Sequence, residues 1–152
     1  MRITLGAVGK ASRGPEQELF TVYQKRIQPN LVLREVEEKK VLSSAERKAR
    51  EAELLLGLVP GGSKVVALDE RGRLLSSVEF AQTLGRWRDD SVGDVVFLIG
   101  GADGHGDRVR ERADLVLAFG PMTWPHMMVR AMVAEQIYRA LAILANHPYH
   151  RA

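Results

Sequence analysis

The chain has 152 residues, 45% of them hydrophobic and 27% charged, with a formal charge of +3. That length is one ordinary domain, and no apolar run approaches the ~20 residues that cross a bilayer. Cysteine is absent, which excludes disulfides, a thiol nucleophile and cysteine-ligated metals and fits a reducing cytoplasm; the 22 basic against 19 acidic residues are fewer than a strong electrostatic binder of nucleic acid carries.

The opening "MRITLGAVGK" has no signal-peptide pattern. Its β-branched run, closed by glycine, predicts a first strand at 2–8. "PEQELFTVYQKRI" spaces Leu19, Phe20, Tyr23 and Ile27 as a helix does. "LVLREV" reads as the second strand. "SSAERKAREAELLLGL" opens with a capping box, Ser43 with Glu46, and closes at Gly57. "SKVVALD" is the third strand. Ser76 with Glu79 starts another capped helix, and "DVVFLIGG" is an apolar fourth strand. "DRVRERA" is a short charged helix, "DLVLAFG" the fifth strand, and a long helix runs from His126 to Ala145.

This alternation predicts a single α/β domain over 1–152, with a mainly parallel sheet flanked by helices. In such sheets ligands bind beyond the carboxyl ends of the strands, which directs attention to three loops. After the fourth strand, "GGADGHGD" is glycine-rich but lacks the third glycine of a dinucleotide fingerprint and the Lys-Ser/Thr of a P-loop. The plainer reading is a tight turn into a short helix. Asp103, His105 and Asp107 alternate there, but three donors on one turn make a weak metal site. After the fifth strand, "FGPMTWP" is a rigid loop in which Phe119, Met122 and Trp124 either line an apolar slot, such as one for a nucleobase, or pack under the helix. Pro125 suits the first turn of that helix.

On the long helix, Glu135, Gln136 and Arg139 share one arc, with Glu135 and Arg139 at i,i+4 spacing. Arg130 falls on the opposite, apolar side. It is therefore either paired or facing a site, because an unpaired buried charge is costly. A helix this apolar is either deeply inserted or part of a subunit interface. The chain then ends in "NHPYHR", a dense set of titratable and hydrogen-bonding groups.

The segments "ITLGAVGK", "VVALDERGRLLSS", "VFLIGGADG", "MTWPHMMVR", "AEQIYRA" and "NHPYHR", in this order from end to end, resemble the ribosomal RNA large-subunit methyltransferase H family, pseudouridine methyltransferases of the SPOUT class. The resemblance implies a C-terminal trefoil knot and a homodimer joined through the last helix. It implies S-adenosylmethionine as donor and no metal. The cofactor contacts it implies are Leu68, Gly100, Phe119, Gly120, Pro121, Met122, Thr123 and Trp124. The implied reaction is methylation of N3 of a pseudouridine in 23S rRNA, on assembled ribosomes in the cytoplasm and with no membrane partner. His150 is the first catalytic candidate, since histidine titrates near neutrality. Tyr149 and Arg151 are placed to orient the base or stabilise its anion, with Arg130 and His126 behind them. The plainer reading of the tail is a packed terminus. Two departures from the family pattern are Gly120-Pro121, in place of ordinary side chains, and His105, where leucine is common. A different RNA target and a non-catalytic ribosome-binding factor are the alternatives.

Overall fold

The computed structural model describes residues 1–151. Five strands and five helices alternate: β1 (Arg2–Val8), α1 (Pro15–Arg26), β2 (Val32–Val36), α2 (Ser44–Leu56), β3 (Lys64–Leu74), α3 (Ser77–Asp89), β4 (Asp94–Ile99), α4 (Asp107–Arg112), β5 (Leu115–Ala118) and α5 (His126–Leu144). All pairings are parallel, in the order β2-β1-β4-β3-β5. Every carboxyl end therefore lies on one edge of the sheet. The central β4 is buried from Val95 to Ile99, as a strand covered on both faces must be.

Local sequence accounts for the helix starts. In α2, Ser43 Oγ accepts from Glu46 N at 3.2 Å, and Glu46 Oε1 accepts from Ser43 N at 3.4 Å. In α3 the corresponding Ser76 and Glu79 distances are 3.1 and 2.7 Å. Each box satisfies two otherwise orphaned backbone donors. Pro125 is the N-cap of α5 and stands just outside the first turn.

One core layer joins the sheet to Phe20, Phe80, Leu84 and Ile137 of α1, α3 and α5. The second joins its other face to Leu55 of α2 and Val109 of α4. α5 is covered by α1 and α3, which explains its largely apolar circumference.

The third strand exceeds its expected length. Both Leu68 and Arg73 stand opposite Leu117 of β5, so residues 69–72 form a bulge between two stretches of the same ladder. Such a bulge re-aims side chains. Here it brings Asp69, Glu70 and Arg71 to the edge where the strands end.

Candidate active site

A cleft of about 800 Å³ opens at that edge. The β3 bulge, the glycine turn after β4 and the loop after β5 enclose it, together with His126 and Val129 of α5 and Lys48 of α2. Of the expected cofactor contacts, Leu68, Gly100, Phe119, Gly120, Met122, Thr123 and Trp124 line it. Pro121 lies outside the lining. Met122 is 73% and Trp124 40% exposed, so these apolar side chains are displayed at the cleft and not packed under the helix. Gly120 has φ of +102°, a conformation a side chain at that position would strain.

The loops are tied to one another. Thr123 Oγ1 donates to Glu70 Oε2 at 2.5 Å, joining the β5 loop to the β3 bulge. Trp124 Nε1 donates to Phe119 O at 3.1 Å and holds the β5 loop closed on itself. Asp69 accepts from Arg71 N, Nε and Nη2. Burial pushes the Asp69 carboxyl up, but these bonds and the Arg71 and Arg110 charges outweigh it and hold it below the usual carboxylate range.

Glu51 of α2 is 7% exposed and supports the glycine turn from beneath. A Cβ on Gly101 would stand 3.0 Å from both its carboxylate oxygens. Burial, and secondarily Asp103, raises the Glu51 pKa against the opposing effect of Arg47. Nothing in the residue order singles it out, because a glutamate in a charged helix reads as solvated surface.

Arg130, His105 and the tail take positions that the sequence did not show. Arg130, the sequence's candidate cation, is 1% exposed and its guanidinium is already engaged. Nη1 donates to Glu35 Oε2 at 2.5 Å, and Nη2 donates to Gly9 O at 2.9 Å. It clamps α5 to the ends of β1 and β2 and is not part of the cleft wall. His105 is not at an outer rim but 3% exposed, its Nε2 3.0 Å from Leu98 O. With that ring turned inward, Asp103 and Asp107 do not gather around it, and no metal-binding group is found among the described residues.

The tail is the third. Tyr149, His150 and Arg151 do not line the cleft of their own chain. Tyr149 Oη donates to Glu135 Oε1 at 2.9 Å and lies 3.2 Å from Tyr23 Oη. Burial, then these two hydrogen bonds, push its phenol pKa well above the ordinary value. Arg139 Nη1 stands 3.0 Å from His150 Nδ1. A guanidinium only donates, so Nδ1 accepts, and the neutral ring keeps its proton on Nε2. Arg139 is fixed in turn by Glu135 at 2.6 Å. This network sits beside a second, apolar pocket of about 470 Å³, lined by Leu19, Tyr23, Leu74, Phe80 and Glu135 among others. From Val129 at the cleft to Arg139 is ten residues of helix, about 15 Å.

A deep cleft of glycine backbone and apolar loop at the carboxyl ends of three parallel strands is the arrangement of an α/β enzyme. The family model described as "Predicted SPOUT methyltransferase" matches residues 1–150, and the chain belongs to that family of methyltransferases. Within it, the chain is 64% identical over 151 residues to the ribosomal RNA large subunit methyltransferase H of Paramagnetospirillum magneticum, covering 99% of each. It is 59% identical to that of Rhodospirillum centenum over the full length of both. It is therefore an enzyme of the large-subunit methyltransferase H family. The fold is also that of a probable methylase family protein from Haemophilus influenzae Rd KW20, with a TM-score of 0.57 at 15% identity over 99% of this chain and 70% of the other. No described helix is long and apolar enough to cross a membrane.

Proposed function

We propose that this chain transfers the methyl group of S-adenosylmethionine to N3 of a pseudouridine in 23S rRNA, on assembled ribosomes in the cytoplasm, as a homodimer with a C-terminal trefoil knot. The observation that carries this reading is the cleft itself. The loops after β3, β4 and β5 enclose it together, in a chain 64% identical to a methyltransferase named for large-subunit ribosomal RNA.

The residues present suit the donor. Gly100 and Gly101 offer backbone without side chains, and Phe119, Met122 and Trp124 offer apolar surface for a base. The Glu70 carboxylate offers negative charge. Bound there, S-adenosylmethionine supplies a methyl group already activated by a positively charged sulfur. Leu68, Gly100 and the loop from Phe119 to Trp124 hold and orient it, so the chain's main contribution is alignment. With the donor bound, N3 of the acceptor would take the methyl group and lose its proton, so the chain must hold the base in line and provide for that proton.

Tyr149, His150 and Arg151 are the groups for that proton and for the charge left on the base. Since none of the three lines the cleft of its own chain, each tail is taken to serve the partner subunit's cleft. The apolar exposure of Leu19 and Leu74, at 49% and 67%, beside the second pocket favours such a partner. With Nδ1 engaged by Arg139, His150 offers Nε2–H as a donor to a developing base anion. It becomes a base only when the Arg139 contact opens.

Mass spectrometry of 23S rRNA from a strain lacking this protein tests the reading. Loss of one methyl from one pseudouridine is expected, restored by the gene. A lost methyl elsewhere in RNA would redirect the substrate. Failure of S-adenosylmethionine to bind in calorimetry would leave the non-catalytic ribosome-binding reading. Mixing a tail-deleted variant with a Gly100→Trp variant tests the shared site. Activity should reappear in the mixed dimer, and its absence in a mixed dimer verified by mass would refute the exchange.

A further inference from the structure

His105 is a cleft residue that the proposed chemistry leaves unused. It is 3% exposed, yet it contributes to the wall of the cleft. Its Nε2 lies 3.0 Å from Leu98 O. A carbonyl oxygen only accepts, so Nε2 carries the proton. Burial lowers the imidazole pKa from its ordinary value, Arg110 and Arg71 assist, and the Leu98 bond and Asp69 oppose. The ring is thus neutral at pH 7, and its Nδ1 is a bare acceptor.

Nδ1 has no hydrogen-bond partner within the described chain. The fully sealed side-chain polar atoms without a partner are Glu51 Oε1 and Arg130 Nε, so Nδ1 is not one of them. It therefore keeps some access, and the cleft is the cavity that His105 helps to line. The backbone beneath the ring is also fixed: Arg110 Nη1 donates to His105 O at 3.0 Å, and Arg110 pairs with Asp107 and approaches Asp69 to 3.6 Å. An acceptor held at both ring and backbone is preorganised, which lowers the cost of ordering it on binding.

We propose that His105 Nδ1 is a ligand-binding atom of the cleft, accepting a hydrogen bond from the adenosine half of S-adenosylmethionine. The inference rests on the donor proposed above and adds a recognition group to it. Charge decides which half. The adenosine half carries neutral donors, an exocyclic amine and two ribose hydroxyls. The methionine half carries a cationic ammonium, and pairing that with an uncharged, buried nitrogen would leave a cation without a counter-charge. The carboxylate of Glu70, which also lines the cleft, suits the ammonium and sulfonium better.

Two substitutions separate the two ring nitrogens. Asparagine sets its amide oxygen near the place of Nδ1 and loses the Leu98 bond. Glutamine sets its amide nitrogen near the place of Nε2 and loses the acceptor. Calorimetry with S-adenosylhomocysteine, which binds without reacting, and thermal unfolding without ligand are measured on the full chain. His105→Gln is expected to keep its unfolding midpoint and lose about tenfold in affinity, the scale of one hydrogen bond with its partner left unsatisfied. His105→Asn is expected to lose midpoint and hold affinity within about threefold, less than half a hydrogen bond's contribution. Removing the ligand's donors one at a time, with the 6-oxo base or a deoxyribose, should weaken the parent and leave His105→Gln unaffected for one of them. Equal affinity of parent and His105→Gln, equal losses in both variants, or no such coupling would each overturn the assignment while leaving the cofactor intact. No binding by the parent would instead remove the cofactor reading, and this inference with it.

Discussion

Replacing Gly72 by alanine tests how β3 and β5 cross at the edge of the cleft. A Cβ on Gly72 would stand 2.7 Å from Val116 C and O and 2.8 Å from Leu117 C. Carbon contacts settle at about 3.5–4.0 Å, so the two chains must part by most of an ångström. All three atoms are backbone, and Leu117 is held in register with both Leu68 and Arg73. No rotamer change relieves the clash. Overpacking of this kind costs about 1–3 kcal/mol, against a gain of about 0.4–1 kcal/mol from a stiffer unfolded chain. We expect a net loss of about 1.3 kcal/mol, read in urea as a midpoint lower by about 0.65 M at a slope of roughly 2 kcal/mol per M. Protein concentration must be fixed, since subunit association would shift the midpoint. Gly93→Ala is the control: nothing lies within 4 Å of its Cβ, so it should be neutral or slightly stabilising. Gly72→Ala within about 0.5 kcal/mol of the parent, where uneventful surface changes fall, would refute the close crossing and the bulge geometry built on it.

Arg130→Met should cost about 3 kcal/mol, the lower end for breaking a buried ion pair because Glu35 keeps partial solvent access. Activity per folded molecule should survive within a few-fold. Normal stability with abolished methyl transfer would return Arg130 to the chemistry. His105 and Glu51 predict opposite pH slopes of stability. His105 has a lowered folded pKa, so the unfolded chain binds the proton first, and stability falls as pH drops below about 6.5. That slope should flatten in His105→Asn. Glu51 has a raised folded pKa, so its carboxyl opposes folding as pH climbs above the ordinary glutamate pKa of about 4.3. Glu51→Gln should gain stability at pH 8 relative to pH 5, and denaturant midpoints at the two pH values decide it. For the tail, Tyr149→Phe and His150→Ala should each slow methyl transfer to ribosomes by about a hundred- to ten-thousandfold, the range of acid–base and charge-stabilising groups. Full rates in both would reduce the tail to a packed terminus.

The parallel α/β class, the capped starts of α2 and α3, the central β4 and the three loops that line the cleft were legible in the sequence. Each depends on short-range periodicity or on hydrogen bonds three residues apart, which the local residue order dictates. The Glu135–Arg139 pair was legible for the same reason. The roles of single side chains were not. Arg130, Glu35 and Gly9 lie far apart along the chain, and only the meeting of α5 with β1 and β2 makes Arg130 a clamp. His105 looked like part of a solvated turn until the turn folded its ring against Leu98. The four-residue bulge in β3 was hidden because its re-pairing partner, Leu117, belongs to another strand. Glu51 became a buried support only when the glycine turn closed over it. Residue order set which elements form and which ends carry the loops. The tertiary structure alone decided which charges are buried, since burial and pairing are properties of distant segments brought together.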